Sequence, residues 1–105
     1  VDEIKGKSIA VDLDETLCTA PEGIIEWMDF HLYYPKMIPI KENIDKVNNL
    51  AKYNNVVIYT ARPWEGYKST LEWLMEHEVM FHYLIMGKFR ADLYIDNDSC
   101  RMEEV

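Results

Sequence analysis

The 105-residue sequence is short of cysteine, glycine and positive charge: it has two Cys, four Gly, and 11 Lys and Arg against 19 Asp and Glu, for a formal net charge of −8. Each shortage excludes something. Cys18 and Cys100 are too few and too far apart for a disulfide framework or a zinc site, so both read as reduced thiols. The deficit of basic residues makes the chain a poor match for nucleic-acid phosphates. No apolar run approaches the roughly 20 residues of a membrane-spanning helix, and Val1 to Ser8 lacks the apolar core of a secretion signal. A cytoplasmic location is expected. His31, His77 and His82 lack metal-binding spacing and read as packing or surface residues. What is present is a balanced mixture, 49% hydrophobic and 29% charged. That profile suits one globular domain spanning residues 1–105.

Apolar patterning divides the chain into alternating strands and helices. Lys7 to Leu13 reads as a short strand ending in acid, its apolar run matching a strand buried on both faces. Thr19 to Pro39 is irregular and aromatic, a structured loop or small hairpin with Ile24 to Phe30 its most ordered part. Ile44, Val47, Leu50 and Ala51 recur at helical spacing between Lys41 and Tyr53. Val56 to Tyr59 is a β-branched strand. Glu65 to Glu78 reads as a second helix burying Leu71, Leu74, Met75 and Tyr67. Phe81 to Met86 and Leu93 to Ile95 complete a set of four strands. Strands alternating with helices imply parallel βαβ units, hence an α/β, three-layer sandwich around a central parallel sheet.

In open parallel sheets, ligands bind beyond the carboxyl ends of the strands. The residues at those ends here are Asp12 and Asp14, then Thr60, then Asp96 with Asn97 and Asp98; Lys88 lies in the turn before the last strand. Carboxylates gathered so closely need a cation, and an all-oxygen set suits Mg²⁺. A lysine and a hydroxyl beside such a cation point to a phosphoryl group.

Asp12-Leu13-Asp14-Glu15-Thr16 resembles the D-x-D-x-T signature of the haloacid dehalogenase-like phosphohydrolases. Thr60 after Val56 to Tyr59, Lys88, and Asp96 after Leu93 to Ile95 resemble the second, third and fourth motifs of that superfamily. The likeness runs from about Ser8 to Asp98, and the wording around Thr60 and Lys88 is similar to small members assigned to capsule biosynthesis. The resemblance implies a Mg²⁺-dependent phosphomonoesterase acting on a small phosphorylated metabolite, a sugar phosphate among the candidates. Asp12 would be the nucleophile that forms an aspartyl-phosphate, and Asp14 the acid and then base. Thr60, Ala61 and nearby N–H groups would hold phosphoryl oxygens, with Lys88 offsetting charge. Asp12, the backbone carbonyl of Asp14 and Asp96 would ligate Mg²⁺. Relatives often carry two adjacent acids at the fourth motif; here Asn97 intervenes, leaving Asp98 to act from behind the ligands.

Alternatives are a nucleotide or nucleic-acid end phosphatase, the latter disfavoured by charge, and a non-catalytic phosphate- or metal-binding domain. A receiver domain would need an acceptor Asp where the second strand ends at Thr60. Arg62 either reaches a substrate anion or pairs with a nearby acid. The segments between motifs are too short for a cap domain. A capless site is expected beside a flap bearing Trp27, Phe30, Tyr33 and Tyr34, with an oligomer, fused domain or partner covering it.

Overall fold

The structure, a computed structural model, describes residues 4–23, 30–93, 95, 97 and 100–105, with only the backbone given for Phe30 and His31. Three strands form the main sheet: β1 (Ser8–Val11), β4 (Asn55–Tyr59) and β5 (Tyr83–Ile85). They pair in the order β1-β4-β5, all parallel, with Val11 opposite Ile58 and Ile58 opposite Leu84. A separate two-stranded antiparallel ribbon joins β2 (Cys18–Thr19) to β3 (Ile38–Pro39). The helices are α1 (Phe30–Tyr33), α2 (Lys41–Ala51) and α3 (Tyr67–Glu76), the last entered through a 3₁₀ turn at Trp64–Gly66.

Both long helices are crossovers between adjacent parallel strands. Right-handed crossovers that step in one direction across a sheet place their helices on the same face. Burial agrees: Val11, Val56, Ile58 and Leu84 are buried with Ile44, Val47 and Ala51 of α2 and Trp73 and Leu74 of α3. The intervening strand residues Ala10, Tyr59, Tyr83 and Ile85 are exposed. The strands therefore alternate, contrary to the continuous burial expected from their apolar runs. Small or amphipathic residues such as Ala10 and Tyr59 occupy the alternate positions. The third layer of the expected sandwich has no helix among the described residues.

Two further expectations change. Leu93 and Ile95 of the anticipated fourth strand are exposed and lie outside any strand, while Tyr94 falls outside the described residues. In α3 the buried stripe is Thr70, Trp73 and Leu74, whereas Met75 and Tyr67 are exposed and Leu71 is half-buried. The helix begins at Tyr67 and turns the face at positions 70, 73, 74 and 77 inward. His77 lies tilted against Trp73 with ring centroids 4.3 Å apart, and the exposed His82 accepts the Val56 N–H on Nδ1 at 3.0 Å, so one histidine packs and the other is a surface residue bonded to the backbone.

At the opposite end from the acidic loop, Asn54 ties the sheet together. Its side chain accepts the Lys7 N–H and donates to the Ile4 and Leu50 carbonyls. The anticipated hairpin is present at its base, whereas Ile24 to Phe30, chosen as its most ordered part, lies almost wholly outside the described residues. Ile40 N–H donates to Leu17, the Asn43 amide to Thr16, and the Trp73 indole to the Met37 carbonyl at 3.0 Å. These bonds fix the ribbon beside the carboxyl ends of the strands. No helix among the described residues is long and apolar enough to cross a membrane.

Candidate functional site

Asp12 follows β1 directly, exposed, with Oδ1 accepting the N–H of Leu13 at 2.8 Å. The chain then folds tightly: the Leu13 carbonyl accepts from Thr16, Leu17 and Cys18. Glu15 takes a left-handed φ of 63°, uncommon for a residue with a side chain, and its carboxylate accepts from the Thr19 hydroxyl. Leu13 and Leu17 are fully buried. With those two side chains turned inward, the carboxylates at positions 12 and 14 project from the sheet edge.

Asp14 is held by Arg62. The guanidinium Nε donates to Oδ2 at 3.0 Å and Nη2 to Oδ1 at 2.7 Å, a two-point clasp. Arg62 is only 4% exposed and is gripped from every side. Nη1 donates to Thr70 Oγ1 at 3.0 Å, Nη2 also reaches Cys18 Sγ, and the guanidinium lies 3.8 Å from the centre of the Tyr34 ring. Burial works against its charge, but the hydrogen bonds and attraction from Asp14 outweigh it and raise its pKa. Burial, reinforced by Asp14, pushes the Cys18 thiol up to about 12, and burial likewise raises the Tyr34 phenol. Cys18 and Cys100 are both free thiols, one buried and one exposed.

Thr60, one residue past β4, is buried, and its hydroxyl oxygen accepts the Arg62 N–H at 3.2 Å, which leaves the hydroxyl proton for donation. Ala61 beside it is half-buried. Lys88 is locked to the same loop by its N–H, which donates to the Thr60 carbonyl at 2.9 Å, and Gly87 N–H donates to Arg62. The Lys88 ammonium stands 5.3 Å from the centre of the Tyr59 ring. Tyr59 follows Ile58, and Asp12 follows its partner Val11, so Tyr59 and Asp12 are neighbours in register. Asp12, Asp14, Thr60, Ala61 and Lys88 thus share one edge of the sheet. Among the described residues, the carboxylates of Asp12 and Asp14 and the cations of Arg62 and Lys88 meet there.

Asp96 and Asp98 lie outside the described residues, and Asn97 is in an exposed turn. Among the described residues no group of three or more acidic, His or Cys side chains could hold a metal ion. The donors that are described, the Asp12 carboxylate and the Asp14 backbone carbonyl, are hard oxygens of the kind Mg²⁺ takes. The Asp14 carboxyl oxygens are committed to Arg62. Trp27 and the Phe30 side chain, half of the anticipated flap, are outside the described residues; Tyr33 is half-buried and Tyr34 is buried against Arg62. Sequence reasoning left Arg62 between two readings and missed Thr70, Tyr34 and Cys18 as its partners. The available signal was the position of Arg62 two residues after Thr60, and Thr70 on the inward stripe of α3.

No family model matches the sequence, and no curated protein does. A crystallised target protein from Vibrio cholerae has the same fold: TM-score 0.71, covering 93% of this chain and 85% of its own, at 24% identity. Fold and edge together define a small α/β domain with a parallel sheet and a cluster of charged residues at the carboxyl ends of its strands.

Proposed function

We propose that the chain is a capless phosphomonoesterase of the haloacid dehalogenase-like type, acting on a small phosphorylated metabolite through an aspartyl-phosphate. The observation that carries this reading is the meeting of Asp12, Thr60 and Lys88 at one end of three parallel strands. Asp12 is exposed for attack on phosphorus, while Thr60, the Ala61 segment and Lys88 bind the phosphoryl oxygens. Mg²⁺ would be held by Asp12, the Asp14 carbonyl and Asp96, and would supply positive charge beside the phosphoryl oxygens. Asp14 delivers or takes a proton only after rotating away from Arg62, because both its oxygens are engaged.

The test is release of phosphate from para-nitrophenyl phosphate with and without Mg²⁺. Turnover should require the cation and fall at least about 10³-fold in Asp12→Asn, a change that removes the attacking anion at nearly constant volume. Undiminished Mg²⁺-dependent turnover by a folded Asp12→Asn protein would overturn the assignment. One observation favours a second reading, a phosphate- or metal-binding domain without turnover: the clasp on Asp14. That reading expects ligand-dependent stabilisation with no phosphate release.

A further inference from the structure

The loop after Thr60 continues through Pro63 to Trp64, which is 57% exposed. Its ring stacks on Tyr67, 38% exposed, with centroids 5.9 Å apart and planes 21° from parallel. The indole edge also lies against Gly87: a Cβ built there would fall 3.1 Å from Nε1 and 3.3 Å from Cδ1. Gly87 has φ of 75°, so both its conformation and its close approach to the indole call for glycine. It immediately precedes Lys88. Two exposed rings are therefore fixed between the loop after β4 and the loop after β5, bordering the residues that would bind phosphate.

The lateral offset sets the size of what could lie on them. Asp12 follows β1, and the indole lies between the loop after β4 and the loop after β5, one to two strand spacings away, or about 5–10 Å. A phosphorus atom over Asp12 leaves that gap to be bridged before any group meets the indole. Phosphate, pentose and base laid end to end bridge it and bring the flat base, not the sugar, to the rings. A flat base is also the group an exposed indole face holds best in water.

We propose that Trp64 and Tyr67 form a stacking shelf and that the substrate is a nucleoside monophosphate. The proposal rests on the phosphomonoesterase reading for its reaction but not for its binding surface. The Asp12 carboxylate attacks phosphorus, the P–O5′ bond breaks with its electron pair on oxygen, and that oxygen takes a proton from Asp14, turned away from Arg62, to leave as the nucleoside hydroxyl. Water then displaces Asp12 from the aspartyl-phosphate, giving one proton back to Asp14 and releasing inorganic phosphate.

The experiment compares kcat/KM for adenosine 5′-monophosphate, glucose 6-phosphate and glycerol 3-phosphate in the wild type, Trp64→Ala and Trp64→Phe. In parallel, quenching of tryptophan fluorescence by adenosine 5′-monophosphate is measured. The wild type should favour the nucleotide, and Trp64→Ala should lower the nucleotide-to-glycerol phosphate ratio about tenfold or more. Trp64→Phe should recover most of that ratio, and quenching should be lost in Trp64→Ala. A wild type that prefers the hexose or glycerol ester, or a ratio unmoved in Trp64→Ala, overturns the shelf. Quenching that depends on Trp64 without turnover of any ester keeps the shelf and overturns the phosphomonoesterase reading. Neither quenching nor turnover overturns both.

Discussion

Arg62 is the residue on which the local chemistry turns. A buried guanidinium keeps its charge whether or not its counter-ion is present, so removing one partner of such a pair leaves that charge unpaired and costs about 3–5 kcal/mol. The Asp14 side chain is 42% exposed, so water screens the pair and Asp14→Ala should lower the unfolding free energy by about 2–3 kcal/mol. Urea unfolding measures this, and the double change Asp14→Leu with Arg62→Met should recover most of the loss. Cys18 beside the pair gives a second expectation. Its thiol, raised from 9.0 to about 12, stays protonated and unreactive at pH 8, so iodoacetamide should label Cys100 alone until the protein is unfolded. Because the unfolded chain releases that proton near pH 9 and the native state retains it, this thiol's contribution to stability falls as pH rises from about 9 toward 12. Of this cluster the sequence marked Asp14 as a site residue and left Arg62 between a substrate anion and a nearby acid, but it gave no sign of Thr70. The pairing of Arg62 joins residues 48 apart, and composition around either one carries no sign of it.

At the scale of elements, strand ends were easier to read than helix faces. Val56 to Tyr59 and Ser8 to Val11 announce themselves by β-branched and apolar residues that stop at a polar one, and the sheet edge follows from that. The face of α3 depends on the residue at which its first turn closes, and the 3₁₀ turn at Trp64–Gly66 shifts that point. Trp73 is consequently inside, where its indole donates to Met37 and holds β3 against the helix. Trp73→Phe removes that donor, strands a carbonyl and leaves a void. The expected cost is about 2 kcal/mol, read from the urea midpoint. Loss of the same bond frees the ribbon that borders Asp14, so under the proposed phosphomonoesterase reading Trp73→Phe should lower kcat for para-nitrophenyl phosphate more than its small fold loss would suggest.

For the whole molecule, the parallel order was legible because strand–helix alternation admits few topologies, while the exposure of Ala10, Tyr59, Tyr83 and Ile85 on the sheet face away from α2 and α3 was not. Ala10, Tyr59, Tyr83 and Ile85 satisfy a strand pattern whichever side is covered, so hydropathy alone cannot say how many layers enclose a sheet. The topology also dictates when the charged edge comes into being. Lys7 and Asn54, which join the starts of β1 and β4, are 47 residues apart in the chain. Contacts so distant form slowly compared with the local turns of α2 and α3. A chain emerging from the ribosome exposes Asp12 and Asp14 well before Arg62 and Lys88 exist. The newborn acidic loop is therefore without its counter-ions, and it acquires a defined shape only when β4 arrives and docks.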